Sequence, residues 1–270
     1  MTAVVGQIVK HAARTVDRLR TPPRGVVVLI YHRVGRRSSL AVDLPTDLFD
    51  EQMAALAASG RVRTIDEALD LLAAPEPPPI DPVVVTFDDG TADFADVVVP
   101  ILERHRVPAT LYVATDFVDR GRPFPDDGTP LSWSALRDAA ATGLVTVGSH
   151  THTHALLDRL PAADVAKELD QACELIAEHV GTPPAHFAYP KAVLGSPAAQ
   201  AEVRVRHRSA AVAGTRPNPF GATDPQRLAR SPIQISDGMT FFHAKAAGGM
   251  RLEDDLRAAA NRWRYRKLAG

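Results

Sequence analysis

The sequence predicts an α/β protein in which parallel strands are covered on the outside by helices. Its strand candidates are continuous apolar runs, such as VVVLIYH over 26–32 and VVVTF over 83–87. Continuous runs are typical of strands buried on both faces. Segments of helical spacing separate these runs, so strands and helices alternate along the chain. A length of 270 residues suits one domain of six to eight such βα units. At this level a closed barrel and a doubly wound open sheet both agree with the pattern.

The bounds of each element follow from residues that start or stop regular structure. Apolar and β-branched runs predict strands over 26–32, near 62–65, and over 83–87, 109–114, 144–148, the start of 186–190, and 209–214. Caps, prolines and glycines mark the ends of six predicted helices. Two have predicted N-caps: the helix over 48–58, capped by Thr46 or Asp47, and the helix that follows Asp66. The others run from the DDG turn to about 104, and over 132–143, 161–180 and 197–207. Stretches 115–131 and 215–231 are expected to be long loops.

Composition excludes several classes of protein. Apolar residues make up 45% and charged residues 23%, which is ordinary for a globular domain and excludes a disordered chain. Cys173 is the single cysteine, so an internal disulfide framework and a cysteine-based zinc site are both excluded. No apolar run approaches the ~20 residues needed to span a bilayer. The net charge of −1 predicts no attraction of the whole chain to nucleic acid.

The N-terminal segment is predicted to be a basic amphipathic helix. Apolar residues recur at helical spacing over 4–19, and Lys10, Arg14 and Arg18 form a stripe on a second face. One interpretation is a helix that covers the barrel with its apolar face. The other is a peripheral contact with an anionic membrane surface. The small size of the apolar side chains favours the first interpretation.

Charge is distributed unevenly along the chain. Residues 1–40 hold eight Lys and Arg against one acid, a charge of +7, so the other residues carry −8. The basic residues follow the first short apolar stretch, unlike those of a secretory signal, so we expect a cytoplasmic protein. A position near the inner membrane face is the expectation if the basic helix contacts lipid. The predicted organisation is a basic helical extension over 1–24, a catalytic domain over 25–250, and a basic C-terminal helix over 251–270.

Polar residues of catalytic type lie directly after the strands. His32 follows the first strand, Asp88 and Asp89 follow VVVTF, a histidine cluster follows 144–148, and Lys191 follows 186–190. Because the carboxyl ends of parallel strands form one face, we expect these residues to converge there. Two adjacent carboxylates need cations or donors nearby if they are buried. The alternative for the acidic pair is a solvated turn, since Asp-Asp-Gly is also typical of turns.

The histidine cluster carries the stronger metal signal. His150 and His154 are four residues apart, so on a helical turn they would share one face, as paired imidazole ligands do. On a strand His152 would join them, but Gly148 and Ser149 favour a turn. Two histidines and one aspartate would leave coordination positions open, as in catalytic sites. Cys173, by contrast, is interpreted as a packing thiol.

Together TFDDG, SHTHTH and FAYP resemble the motifs of the polysaccharide deacetylase family, carbohydrate esterase family 4. The resemblance covers residues 25–245, with the motifs in the family's order. It implies a distorted (β/α) barrel, here with about seven βα units, that removes acetyl groups from N-acetylated sugars. It also implies that Asp88 is the general base and that Asp89, His150 and His154 hold a divalent metal. That metal is usually zinc, with cobalt, nickel or other divalent ions also used.

The FAYPKA segment resembles the family's arginine-proline loop with two departures. The resemblance implies that the backbone amide of Lys191 faces the oxyanion and that Tyr189 and Pro190 orient the substrate. Ala188 stands where the family usually has an arginine that orients the base, and Ala192 stands where glycine is common. Our candidate for the missing arginine is Arg230, with Arg227 as the alternative.

The general acid is expected at an unusual place in the chain. LIYH resembles the family's C-terminal leucine-x-histidine element, but it lies at the N-terminal end, as in the circularly permuted branch that includes exopolysaccharide deacetylases. This implies that His32 is the general acid, with His243 as the poorer candidate. The resemblance implies an N-acetylated glycan or glycolipid as substrate. The rival functions are hydrolysis of another N- or O-acyl group and a non-catalytic carbohydrate-binding module with a degenerate site.

Overall fold

The computed structural model describes residues 3–19 and 22–256 and has a closed barrel at its centre. Seven parallel strands form it: β1 (Gly25–Tyr31), β2 (Val83–Phe87), β3 (Ala109–Val113), β4 (Val145–Ser149), β5 (His186–Ala188), β6 (Ser209–Ala213) and β7 (Leu228–Pro232). Neighbours in this order pair with one another, and β7 pairs in parallel with β1 to close the ring. The expected (β/α) barrel of about seven units is therefore confirmed.

Helices surround the barrel. They are α1 (Ala3–Leu19), α2 (Thr46–Ser59), α3 (Ile65–Ala73), α4 (Val99–His105), α5 (Thr115–Arg120), α6 (Trp133–Ala141), α7 (Ala162–Val180), α8 (Pro197–Arg206) and α9 (Gly238–Ala246). A π-helical turn, Phe94–Val98, leads into α4, and 3-10 turns cover Pro190–Ala192, Pro225–Arg227 and Ile235–Asp237. Three two-residue strands complete the fold: Arg33–Val34, Asp43–Leu44 and Asn218–Pro219. Within the described residues, none of the helices is both long enough and apolar enough to cross a bilayer.

Side chains of the strands alternate between the barrel lumen and the helices. Val27, Leu29 and Val85 belong to the large outer core under the helices, whereas Val28 and Val84 belong to a separate cluster inside the barrel. Burial on both sides explains why these strands are continuous apolar runs.

The helix α3 packs on this inner cluster at the amino ends of the strands. Its residues Ile65, Ala68 and Leu69 belong to the inner cluster. Its carboxylate Asp66 is bonded by Arg208, which directly precedes β6. The helix α3 therefore covers the barrel at the amino ends of its strands. The opposite end, at the carboxyl ends of the strands, is where a functional site is expected.

The helix α1 docks on α9 through a buried ion pair. Lys10 is 3% exposed, and its Nζ lies 2.6 Å from Asp237 Oδ1 and 2.7 Å from Ser236 Oγ. Ala13 packs with Phe241, whereas Ile8 is 63% exposed. Lys10, which belongs to the predicted basic stripe, is therefore buried, and its ammonium neutralises a buried carboxylate.

Several expected elements differ in the structure. The stretch 115–131 contains α5, and 215–231 contains most of β7, so neither is simply a loop. The N-cap of α3 is Thr64, whose side chain and that of Glu67 form a reciprocal capping box, so the expectation of Asp66 at this position is wrong. The proposed C-terminal helix is described only to residue 256, and Trp263 and Tyr265 lie outside the described residues.

Candidate active site

A cavity of about 280 Å³ lies at the carboxyl ends of the barrel strands. The side chains and backbone that line it include His32, Asp88, Asp89, His150, His154 and Lys191. These residues follow four different strands, β1, β2, β4 and β5, and the parallel topology brings those strand ends to one face. The expected convergence of polar residues from distant parts of the chain is therefore observed.

Asp88 is a buried carboxylate held by one arginine. Its two oxygens accept hydrogen bonds from Arg230, Nη1 to Oδ1 at 2.7 Å and Nη2 to Oδ2 at 2.9 Å. Arg230 is fully buried, and its Nη1 also lies 3.3 Å from Thr86 Oγ1. A paired contact of this kind fixes the plane of the carboxylate as well as its position. Arg227 lies at the surface instead, where it bonds to Gln200.

The surroundings of Asp88 keep it ionised. Burial raises the pKa of this carboxyl, but the charge of Arg230 and its hydrogen bonds to the carboxylate outweigh that cost. The net result is a pKa lowered to about 2. A carboxylate in this state can accept a proton in neutral solution without first losing one.

Asp89, His150 and His154 form a group that could hold a metal ion. Asp89 Oδ1 lies 3.7 Å from His150 Nε2 and 3.5 Å from His154 Nε2, and the ligand atoms all lie within 4.8 Å of one another. His150 Nδ1 lies 2.7 Å from Ala188 O, which can only accept, so this nitrogen carries the hydrogen. The Nε2 atom of His150 is thereby left with its lone pair free for a metal.

The backbone that brings the two histidines together is not the expected helical turn. Residues 150–155 form an irregular loop in which Thr151 and His154 have positive φ of 64° and 62°. The two imidazole centroids nevertheless lie 4.9 Å apart. Burial, together with the neighbouring His150, lowers the pKa of His154 to about 4, so its imidazole is neutral, as metal binding requires.

His152 lies outside this group and holds the loop from the other side. It is 4% exposed, its Nδ1 lies 2.9 Å from Thr115 Oγ1, and its Nε2 lies 3.6 Å from Asp116 Oδ1. Its backbone N–H donates to Glu168 at 3.1 Å. No sequence signal pointed to Thr115, Asp116 or Glu168, because each acts through a contact formed only in the folded chain.

The family profile for polysaccharide deacetylase matches residues 76–208, a stretch that contains Asp88, Asp89, the histidine loop and Lys191. The chain contains a polysaccharide deacetylase domain. It is accordingly a carbohydrate deacetylase, and its reaction class is the deacetylation of polysaccharides. No curated protein matches the chain.

Solved structures show the same fold over most of the chain. IcaB from Ammonifex degensii is 25% identical, with a TM-score of 0.71 over 83% of this chain and 98% of its own. The Streptococcus pyogenes deacetylase PplD, solved in complex with acetate, is 20% identical, with a TM-score of 0.73 over 83% and 99%. The BpsB deacetylase domain from Bordetella bronchiseptica is 24% identical, with a TM-score of 0.62 over 78% and 97%.

One residue of the FAYP segment, Tyr189, is buried away from the cavity. Tyr189 is 1% exposed and packs with Phe187 in the outer cluster between β5 and α8, and burial raises its pKa to about 12. Its ring therefore lies in the outer cluster, since consecutive residues of an extended segment point to opposite faces, and the predicted part of Tyr189 in orienting the substrate stays a prediction. Pro190 is buried and begins the 3-10 turn that carries Lys191 to the cavity.

The two histidine candidates for the general acid lie in different places. His32 follows β1 and lines the cavity beside Asp88. Its Nδ1 is buried without a hydrogen-bond partner in the described part of the chain. His243 lies in α9 and is exposed, and it does not line this cavity. The geometry therefore favours His32 over His243 as the histidine near the reacting group.

Proposed function

We propose that this deacetylase is a metal-dependent hydrolase that removes N-acetyl groups from an N-acetylated glycan, giving acetate and a free amino sugar. One observation supports the proposal above the others. An ionised carboxylate, Asp88, held by Arg230, lies beside a separate three-ligand group of Asp89, His150 and His154. A binding module has no need of a separate base beside a metal site, so this pairing favours catalysis over the non-catalytic alternative.

Asp89, His150 and His154 would hold the metal, and their donor set fits it. One carboxylate and two imidazoles suit zinc and other divalent transition metals, and three ligands leave positions open. A divalent metal bound there would polarise the acetyl carbonyl and lower the pKa of a water molecule. The hydrogen bond from His150 to Ala188 O fixes the ring orientation in advance.

The residues of the chain supply the proton transfers. Asp88 accepts a proton from the attacking water, while Arg230 holds the carboxylate in place. When water attacks the acetyl carbonyl, its oxygen becomes an oxyanion, and the backbone amide of Lys191 stabilises that charge. Loss of one such donor raises the activation free energy by ~3 kcal/mol. His32 protonates the leaving nitrogen, because an amine leaves only after or while it gains a proton.

The position of His32 in the chain agrees with a circularly permuted order. Its strand, β1, lies between β7 and β2, so the first strand of the chain takes its place beside the last. A ring of parallel strands tolerates such an order, because each strand end faces the same cavity wherever the chain begins. The permutation itself is part of the proposal.

The substrate and the cellular location go beyond the family assignment. An N-acetylated glycan or a glycolipid fits the reaction class, and a contact with an anionic membrane surface stays a prediction. Since Lys10 pairs with Asp237, it is not free for such a contact. Co-sedimentation with anionic liposomes at low and high salt tests the contact, and cell fractionation tests the predicted cytoplasmic location.

An acetate-release assay over a panel of N-acetylated and O-acetylated sugars tests the function. We expect acetate together with a new free amine from the N-acetylated members, and loss of both after treatment with a chelator. Asp88→Asn, which preserves shape but removes the base, should be inactive and still bind metal. Acetate release only from O-acetylated sugars would favour the esterase alternative, and metal binding without turnover would favour the binding module.

A further inference from the structure

The aromatic ring of Tyr112 lies in the barrel lumen below the cavity, in a space left by small residues. Tyr112 on β3 is fully buried and belongs to the inner cluster with Ala188 and Ala211. Its ring lies against Gly148, where an added Cβ would come within 2.5 Å of Cδ1 and 2.8 Å of Cε1. Strands β4, β5 and β6 therefore contribute no more than a methyl group beside this ring, and the ring can cross the lumen.

The ring of Tyr112 meets the guanidinium that holds the base. Arg230 comes from β7, and its Cζ lies 5.2 Å from the ring centroid. Within the described residues, Arg230 Nε and the Tyr112 hydroxyl have no hydrogen-bond partner. The two side chains therefore interact as a cation–π pair and not through a hydrogen bond.

The paired contact between Arg230 and Asp88 depends on the plane of the guanidinium. Nη1 and Nη2 of Arg230 can each bond one oxygen of Asp88 only when the guanidinium and carboxylate planes are aligned. Hydrogen bonds act at the edge of a guanidinium, and its faces are held by flat apolar surfaces such as aromatic rings. The Tyr112 ring, over which Arg230 Cζ lies, is the aromatic surface that this guanidinium meets.

We propose that Tyr112 is a positioning residue for the deacetylation reaction. Its ring holds the Arg230 guanidinium in the plane that meets both oxygens of Asp88, so that the carboxylate faces the attacking water. This proposal rests on the proposed role of Asp88 as base. It assigns no role to the Tyr112 hydroxyl, and a phenylalanine should therefore serve as well.

The test compares Tyr112→Phe with Tyr112→Leu. With an N-acetylated sugar identified by acetate release, we expect Tyr112→Leu to lower kcat about tenfold or more, with KM within about twofold of the wild type. Tyr112→Phe should keep kcat within about threefold. Metal affinity should be unchanged in both variants, since neither touches Asp89, His150 or His154. Phe49→Leu is the matched control: Phe49 is equally buried, but it lies on α2 outside the barrel.

A double-mutant cycle with Arg230→Lys separates positioning from general packing. Lysine keeps the charge but has no plane to align, so Tyr112→Leu should lower kcat by less than about twofold in that background. A full tenfold loss there, an equal loss in Phe49→Leu, or an unchanged kcat in the single Tyr112→Leu variant would overturn the proposal. The same cycle read from the free energy of unfolding tests the ring–guanidinium contact without turnover, and absence of coupling there overturns the proposal as well. A wild-type protein that releases no acetate would count against the proposed function, not against this contact.

Discussion

Left-handed backbone is concentrated around the cavity at the scale of single residues. Asp89, Thr151, His154, Lys191 and Ala192 have φ between 51° and 78°, a region that favours glycine. Each non-glycine residue there costs of order 1–3 kcal/mol, and the surrounding structure must hold it. Two of the five are expected metal ligands, and a third carries the expected oxyanion amide. The backbone strain is therefore located at the residues whose side chains and amides line the cavity.

Metal binding should depend on three residues and not on a fourth. Replacement of Asp89, His150 or His154 by alanine removes one of three ligands and should abolish tight zinc binding in a calorimetric titration. His152→Ala should bind zinc with nearly wild-type affinity, because His152 faces Thr115 on the far side of the loop. An equal loss of affinity in His152→Ala would contradict the assignment of the ligand set.

His32→Ala should leave the metal bound and the fold intact while turnover falls. Loss of a general acid typically lowers kcat by about 10²–10⁴, because the nitrogen then leaves unprotonated. The loss should be smaller for substrates with better leaving groups. Steady-state kinetics on an acetamido sugar and on an activated analogue measure this, with His243→Ala as the control. Full turnover by His32→Ala would move the acid role to another residue.

A buried histidine should make the protein less stable in mild acid. Burial lowers the pKa of His207 to about 4, and its Nδ1 donates to Pro184 O at 3.0 Å. Between its ordinary value near 6.5 and about 4, the unfolded chain binds a proton that the folded chain does not. The free energy of unfolding therefore falls as the pH drops through this window, by about 2–3 kcal/mol from this group.

Urea unfolding at a series of pH values measures the contribution of His207. His207→Gln keeps a donor for Pro184 O but cannot titrate, so its stability should fall less steeply between about pH 6.5 and 4. The same substitution at the exposed His243 is the control and should leave the slope unchanged. A wild-type slope in His207→Gln would show that the acid sensitivity comes from other groups.

At the scale of elements, one buried carboxylate connects two helices and a strand. Asp237 lies beside Lys10 of α1 and beside Lys245 of α9, whose Nζ is 2.9 Å from Asp237 Oδ2. Lys245 also donates to Pro232 O, at the end of β7, at 2.8 Å. Pro232 lines the cavity, so the docking of α1 is continuous with the wall of the site. The helix α1 is therefore attached to the barrel by buried charges as well as by apolar contacts.

Two substitutions measure this connection. Asp237→Ala leaves Lys10 and Lys245 buried with only the more distant carboxylate of Glu253, at 4.0 and 3.6 Å, and should lower the free energy of unfolding by about 3 kcal/mol. Lys10→Met keeps the apolar stem and leaves Asp237 paired with Lys245, so its cost should be clearly smaller. Urea unfolding of both variants provides the comparison. Equal costs would mean that Lys245 alone does not compensate the carboxylate.

At the scale of the whole molecule, the barrel closes at a short seam. β7 and β1 pair over three residues, and below them Asn218 bridges the gap. Its Nδ2 donates to Val26 O at 3.1 Å and to Ala229 O at 2.9 Å, and its Oδ1 accepts from Ala229 N at 2.8 Å. One buried side chain thus satisfies backbone groups of β1 and β7 that do not pair directly with each other.

Asn218→Ala should weaken this seam. It leaves buried backbone groups of Val26 and Ala229 unpaired, and we expect a loss of about 2–3 kcal/mol of unfolding free energy. Hydrogen exchange should become faster in β1 and β7 before it does in β3 or β4. Thr223→Ala, which removes an exposed hydrogen bond to Pro219 O, is the control and should change stability by less than about 0.5 kcal/mol. Uniform exchange across the barrel in Asn218→Ala would contradict a local seam.

The alternation of strands and helices can be predicted from the sequence alone, and so can the functional importance of the acidic pair and the histidine cluster. These features depend on local patterns: apolar runs, caps, and residue types that hold metals and protons wherever they lie. Because parallel strand ends share one face, the convergence of His32, Asp88 and His150 followed from their positions after strands. The candidate Arg230 was also found in the sequence, but only as one of two arginines.

The remaining features depend on contacts between residues that are distant in sequence. The sequence predicts a loop where the structure has β7, since LARSP is short and carries a charged residue in its centre. Pairing with β6 and β1 makes this segment a strand. The choice of Arg230 over Arg227, the outward direction of Tyr189 and the burial of Lys10 likewise depend on neighbours distant in sequence. A charged side chain is buried only where an opposite charge meets it, and that meeting is a property of the packed chain, not of any local pattern.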